Sequence, residues 1–222
     1  MRAWLRPLVM LAVTALVAAS LCHRTLGQRQ PAEPRALPAP RLKGTVSVEE
    51  ALARRRSVRQ FAPTPLAWEE VGQLAWAAQG ITEPTRKLRT APSAGATYPL
   101  EVYLLTPEGA YHYLPEGHRV EQLADRDLRA ALGAGASAEQ APLVMVLAAV
   151  YERTRARFGD QAERYVHMEA GHVGENIQLQ AVALGLGSVT IGGARDEAVR
   201  AALGLPEDQH ALYVIPVGHP AQ

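Results

Sequence analysis

Hydrophobic and polar positions recur with changing periods along the chain, and each change of period marks an element. From Asp160 to Leu184, the apolar residues Val166, Ala170, Val173, Ile177, Ala181 and Leu184 recur at three- and four-residue steps. That spacing lines one stripe of a long helix, and Gly185-Leu186-Gly187 closes it. A second helix, Ala67 to Gln79, carries Val71, Leu74, Ala75 and Ala78 on one stripe and stops at Gly80. Ser47-Val48-Glu49-Glu50 is a capping box opening a shorter helix that runs into Arg54 and Arg55. Short helices are also expected over Asp125–Leu132 and Asp196–Leu203. Leu100–Thr106 and Ala110–Leu114 read as hairpin arms around a turn at Pro107–Gly109. Leu143–Val150 is an unbroken apolar run, which suits a strand buried on both faces. Ser188–Ile191 and Ala211–Val217 are further strands, and Thr82–Ala96, with Pro84, Pro92 and Gly95 and no period, is a loop. Helices and hairpin strands mix without a strict β-α-β repeat, so the fold class is α+β.

The N-terminal residues follow a different rule. Arg2 and Arg6 precede an apolar run from Leu8 to Cys22, which makes residues 1–27 a signal or anchor segment. Ala18-Ala19-Ser20 resembles a cleavage site, and Cys22 leaves lipid attachment open as a second reading. The expected localisation is exported or membrane-anchored. Residues 28–43 contain Pro31, Pro34, Pro38 and Pro40 and read as a stiff linker. The folded domain is expected over residues 44–222, a length that suits one core rather than two.

Composition removes several classes of function. A net charge of +1, with no basic run interleaved with aromatics, gives no footprint for nucleic acid. Cys22 is the single cysteine, so neither a disulfide framework nor a cysteine metal site can form within one chain. His167 and His172 project about 140° apart on a helix and make a poor metal pair, so no metal is expected. Gly133-Ala134-Gly135 follows a helix instead of a strand, which disqualifies it as a dinucleotide loop. No Gly-x-Ser-x-Gly elbow is present. Glu169, His172 and Asn176 form a polar stripe on the long helix, expected to face solvent or a second copy, with a general base as the alternative. No catalytic side chain is assigned.

Three separated pieces remain. Arg54-Arg55-Arg56-Ser57-Val58-Arg59 offers forked donors and a hydroxyl, as a phosphate dianion requires, although taken alone it reads more readily as a solvated basic helix end. Ala91-Pro92-Ser93-Ala94-Gly95-Ala96-Thr97-Tyr98-Pro99 is a low-profile loop on which a flat ring can lie, or an ordinary turn ahead of a strand. Gly185 to Gly193 is glycine-rich enough for backbone amides to approach a ring edge, or simply a helix end followed by a bulge.

Taken in order, these pieces, with Glu-Ala-Gly-His-x-x-x-Asn and Pro-Val-Gly-His-Pro, resemble the nitroreductase superfamily from Val46 to Pro220. The branch they look most like is the SagB/ThcOx type, the thiazole/oxazole-forming dehydrogenases. The resemblance implies a central antiparallel sheet wrapped by helices, a homodimer, and FMN at the dimer interface. It assigns Arg55, Arg56, Ser57 and Arg59 to the phosphate and ribityl chain. Pro92, Ser93, Ala94 and Gly95 fall to the ring loop, and Ile191, Gly192 and Gly193 to the segment facing flavin N5. His219 stands where the branch has a second phosphate-binding arginine.

The implied activity is an FMN-dependent oxidoreductase moving hydride between NAD(P)H or an organic substrate and an acceptor, with a small-molecule or peptide substrate. Two readings stay beside it: an azoline or peptide dehydrogenase using oxygen or a membrane acceptor, and a non-catalytic flavin-binding domain. Where azoline oxidisers carry a Lys-Tyr pair, this chain has Arg157-Phe158, which supplies neither a base near neutral pH nor a hydroxyl.

Overall fold

The computed structural model describes residues 33–221, so the signal or anchor segment read from residues 1–27 lies outside the described residues. In chain order the strands are β1 (Arg35–Ala36), β2 (Ile81–Glu83), β3 (Leu88–Arg89), β4 (Leu100–Thr106), β5 (Gly109–Leu114), β6 (Arg119–Ala124), β7 (Leu143–Val150), β8 (Gly187–Ser188) and β9 (Gln209–Gly218). The helices are α1 (Val48–Arg54), α2 (Trp68–Gln79), α3 (Ala136–Gln140), α4 (Tyr151–Phe158), α5 (Ala162–Ala183) and α6 (Asp196–Leu203). Among the described residues, seven strands form one sheet in the order β1-β6-β5-β4-β7-β9-β8, with every neighbouring pair antiparallel.

Strand β7 is buried along its whole length, which is why its sequence is an unbroken apolar run. Its period of two feeds two separate cores. Leu143, Met145, Leu147 and Ala149 pack with the α5 stripe of Val166, Val173 and Ile177 and with Val71 and Leu74 of α2. Val144, Val146 and Ala148 pack on the other side with Leu132, Ala138 and Val199. The sheet is thus covered on both faces, and the α+β expectation holds.

Four segments differ from the sequence reading, each for a physical reason. Residues 33–43 are not a free tether, and the packed chain starts ahead of Gly44. The prolines favour extended backbone, and Arg35–Ala36 uses it to extend the sheet along β6. Leu37 is buried in the core, its amide donates to the His118 carbonyl at 2.9 Å, and Arg41 exchanges two backbone hydrogen bonds with the Gln73 side chain. Arg119–Ala124 is a strand that buries only Val120, and Asp125–Leu132 holds no more than a 3₁₀ turn at Ala130–Leu132. Helix α4 has no apolar stripe, because Thr154 is its one buried residue. The expected loop 82–96 includes part of a small hairpin of β2 and β3.

Candidate functional site

The first group of expected site residues is assembled by backbone pairing. Ser47 caps α1 by accepting from the Glu50 amide at 3.1 Å, and the helix ends at Arg54. The chain then runs extended between β8 and the C-terminus. The Val58 amide donates to the Ser188 carbonyl at 3.0 Å, the Ala62 amide to the His219 carbonyl at 2.8 Å, and the Ala221 amide to the Gln60 carbonyl at 3.0 Å. Gly187 permits this approach, since a Cβ there would stand 2.7 Å from Val58. One edge therefore gathers Arg55, Arg56, Ser57, Arg59 and His219.

The arginines differ in how committed they are. Arg54 is held by Glu50 at 2.8 Å, one turn away on α1. Arg56 folds back on the carbonyls of Ala53 and Arg55. Arg55 reaches Gln178 of α5 at 3.4 Å and Glu175 only at 3.9 Å. Arg59 is exposed and makes no hydrogen bond or ion pair among the described residues. Along β9, Ile191 pairs with Val214, which leaves Gly192 and Gly193 as exposed backbone beyond it.

The second group, Pro92 to Gly95, lies elsewhere. Three residues of this loop adopt positive φ: Gly95 at 59°, Ala96 at 54° and Tyr98 at 45°. Two of them carry a Cβ, so the backbone is strained and must be held by its surroundings. The Tyr98 amide donates to Ser93 Oγ at 2.9 Å, and Thr97 Oγ1 meets Thr154 Oγ1 of α4 at 2.9 Å. Arg157 donates to the Gly95 carbonyl at 2.8 Å. Arg157 thus clamps this loop from α4.

Within one chain the two groups stand apart. Arg55 meets α5 at Gln178, while Ser93 faces it at Glu169. Nine residues of helix separate these points by about 13 Å and half a turn, so they lie on opposite sides of α5.

Glu169 corrects the sequence reading. It is 2% exposed and faces the protein interior, whereas His172 is exposed and Asn176 half-buried. Burial pushes its carboxyl up to about 7, against the opposing influence of Ser93, Gln79 and Arg89. The signal was present in the chain: Glu169 stands three residues after Val166 and four before Val173, within the apolar stripe. Glu101 of β4 also went unnoticed. Burial alone would raise it, but a 2.7 Å hydrogen bond to His112 and the charge of Arg153 bring it down to about 2.

A model of the nitroreductase family matches residues 52–219. The chain belongs to this family. It is 40% identical over 183 residues to a protein described as a nitroreductase from Methanocaldococcus jannaschii, covering 78% of this chain and 91% of that one. The crystal structure of a protein described as a nitroreductase from Ralstonia eutropha JMP134 superposes with a TM-score of 0.79 at 29% identity, over 89% of this chain and 93% of that chain. Two more distant structures share the fold. One is the NADPH:FMN oxidoreductase of Vibrio harveyi complexed with NAD+, at TM-score 0.58 and 24% identity over 79% of this chain and 69% of that one. The other comes from the Escherichia coli microcin synthetase complex, at TM-score 0.67 and 21% identity over 99% of this chain and 96% of that chain.

Proposed function

We propose that this nitroreductase-family oxidoreductase binds FMN and moves hydride between NAD(P)H or an organic substrate and an acceptor. The observation that carries the proposal is the edge built by the Ser57–Ala62 segment, where backbone pairing brings Ser57 and Arg59 alongside the strand that ends at His219 and Arg59 has no hydrogen bond or ion pair among the described residues. A phosphate dianion fits such a set, because forked guanidinium donors and a hydroxyl satisfy its oxygens. Arg55, Ser57, Arg59 and His219 would hold the phosphate and ribityl chain, and exposed Gly192 and Gly193 would present backbone to the ring edge. FMN, when bound, supplies the hydride chemistry. The protein's own part is to hold the ring, exclude water and select the substrate.

The separation of the two groups across α5 favours a site completed by a second copy, whose Pro92–Gly95 loop would lie against the ring. A hollow of about 380 Å³ between α1, α2 and α5, lined by Val46, Ala51, Trp76 and Leu179, adjoins exposed Val48 and Leu52 and suits such an interface. Membership of the SagB/ThcOx branch rests on the ordered motifs. Arg157 is engaged at Gly95 and cannot act as a base, which favours a nitroreductase-like reaction over azoline oxidation. The basic and then apolar pattern of residues 1–27 favours a membrane-bound or exported protein. Cell fractionation that finds it soluble in the cytoplasm with Met1 retained would contradict that part.

The test compares Arg54→Ala, Arg55→Ala and Arg59→Ala by titration with FMN and with riboflavin, which lacks the phosphate. Losing one charge-assisted hydrogen bond at Arg55 or Arg59 should weaken FMN binding roughly tenfold to hundredfold. Arg54, already committed to Glu50, should be silent, and riboflavin binding should hardly change in any variant. Equal losses at all three positions would mean general electrostatics and no phosphate site.

A further inference from the structure

A second hollow of about 380 Å³ opens away from the candidate phosphate edge. Its walls include Tyr151 of α4, Glu163 in the first turn of α5, Asp196 at the start of α6, and His210 and Leu212 of β9. Two lengths separate it from that edge. Glu163 precedes Gln178 by fifteen residues of helix, about 22 Å. His210 precedes His219 by nine residues of extended chain, about 30 Å.

Asp196 sets the chemistry of this hollow. Its Oδ1 accepts from the Ala211 amide at 2.6 Å, and its Oδ2 lies 2.9 Å from His210 Nδ1. A carboxylate only accepts, so Nδ1 carries the hydrogen and the neutral imidazole presents Nε2 as a lone pair. Nε2 has no hydrogen-bond partner among the described residues. Tyr151 offers its ring rather than its hydroxyl, which is engaged by His167 Nε2 at 2.8 Å. That ring stands 5.7 Å from the His210 ring and, like Leu212, packs against the main core. Arg155 is paired with Glu152 on its own helix, whereas Glu163 makes no hydrogen bond or ion pair among the described residues. The uncommitted polar groups on these walls are thus His210 Nε2 and the Glu163 carboxylate, and both are acceptors.

Acceptors without donors, beside an aromatic face, select a ligand that brings donors and positive charge. We propose that this hollow binds a small organic ammonium ion, which donates N–H to Glu163 and His210 Nε2 and rests its apolar body against Tyr151 and Leu212. Asp196 is a positioning residue, because it fixes the tautomer that keeps the His210 lone pair available. An anion is refused on the same grounds, since the one cation of the lining, Arg155, is already engaged by Glu152. The site stands independently of the FMN reading.

Benzylammonium serves as the probe, with benzyl alcohol and benzoate as its neutral and anionic counterparts. The full chain is titrated with each at pH 8 by calorimetry, while the imidazole nitrogen resonances of His210 are followed by NMR. Benzylammonium should bind saturably, one per chain, and move the His210 Nε2 resonance. Benzyl alcohol should bind roughly tenfold more weakly, and benzoate should not bind. Glu163→Gln and His210→Phe should each weaken benzylammonium roughly tenfold, the loss of one charge-assisted hydrogen bond. Glu197→Gln removes a neighbouring exposed acid outside the lining and should leave the affinity unchanged. The nitrogen shifts should report the Nδ1–H tautomer in the wild type and its loss in Asp196→Ala. Should His210→Phe fail to fold, Glu163→Gln carries the comparison, because Glu163 is exposed and unpaired. Binding of benzoate as tight as that of benzylammonium, or no saturable binding at millimolar concentration, would overturn the proposal. So would equal losses in Glu163→Gln and Glu197→Gln, or an Nε2–H tautomer in the wild type.

Discussion

Two carboxyls on either side of the ring loop respond oppositely to similar burial. Glu101 has a side chain 14% exposed, between His112 of β5 and Arg153 of α4, and is drawn down to about 2. Glu169 is more deeply covered, faces mostly neutral donors, and is pushed up to about 7. Burial acts with the same sign on both, and the nearest formal charge decides the outcome. The contrast also divides the labour. The Glu101 network is structural: His112 stacks on Tyr103 at 4.9 Å between centroids, and Arg153 ties Glu101 to the Tyr98 carbonyl at 3.1 Å. Glu169 keeps an oxygen without a hydrogen-bond partner among the described residues, and burial pushes its carboxyl up to about 7.

The largest expected effect comes from Glu101. Glu101→Gln should cost about 3 kcal/mol at pH 7, because Arg153 and His112 lose a charged acceptor in a largely buried setting. A carboxyl lowered on folding contributes stability that is complete above its ordinary 4.5 and disappears as pH falls through about 2. Denaturant titrations should therefore show the gap between wild type and variant closing over that acid range. A gap that persists at the acid end would mean Glu101 acts by packing.

A second effect, of similar size and opposite sign, belongs to Glu169. A carboxyl raised on folding contributes fully below its ordinary 4.5 and loses that contribution as pH rises to about 7. Relative to Glu169→Gln, the wild type should lose about 3 kcal/mol across that range, at about 1.4 kcal/mol per pKa unit. The same denaturant series measures it, and parallel curves for the two proteins would show that Glu169 is not buried as described.

The smallest effect tests the clamp between the two carboxyls. Gly95→Ala should cost about 1 kcal/mol from left-handed backbone, with Arg157 displaced from a contact that would shrink to 2.6 Å. A thermal shift indistinguishable from wild type would show the loop to be slacker than its dihedral angles indicate.

Much of this architecture was legible in the chain. Leu100–Thr106 and Leu143–Val150 stand where their apolar runs place them, because a central strand has little freedom to be otherwise. The α5 stripe was equally plain. Helix α4 was not, since its sequence is almost wholly polar and its pairing of Glu152 with Arg155 leaves no hydrophobic period. The Arg35–Ala36 edge strand was hidden by prolines that read as linker. At the site, the arginine cluster and the ring loop stood out as motifs, but the different commitments of Arg54, Arg55 and Arg59 depend on Glu50 and Gln178. Glu169 was misjudged because its polarity outweighed its place between Val166 and Val173. Only the packing of α2 and the loop over that position shows it to be interior.

The central claim is that the edge at Arg55, Ser57, Arg59 and His219 holds a flavin phosphate. The absorption spectrum of the purified protein, followed by titration of the stripped protein with FMN, addresses it most directly. The account predicts a yellow protein with stoichiometric, non-covalently bound FMN that rebinds after removal. A colourless protein that also fails to take up added FMN would contradict it.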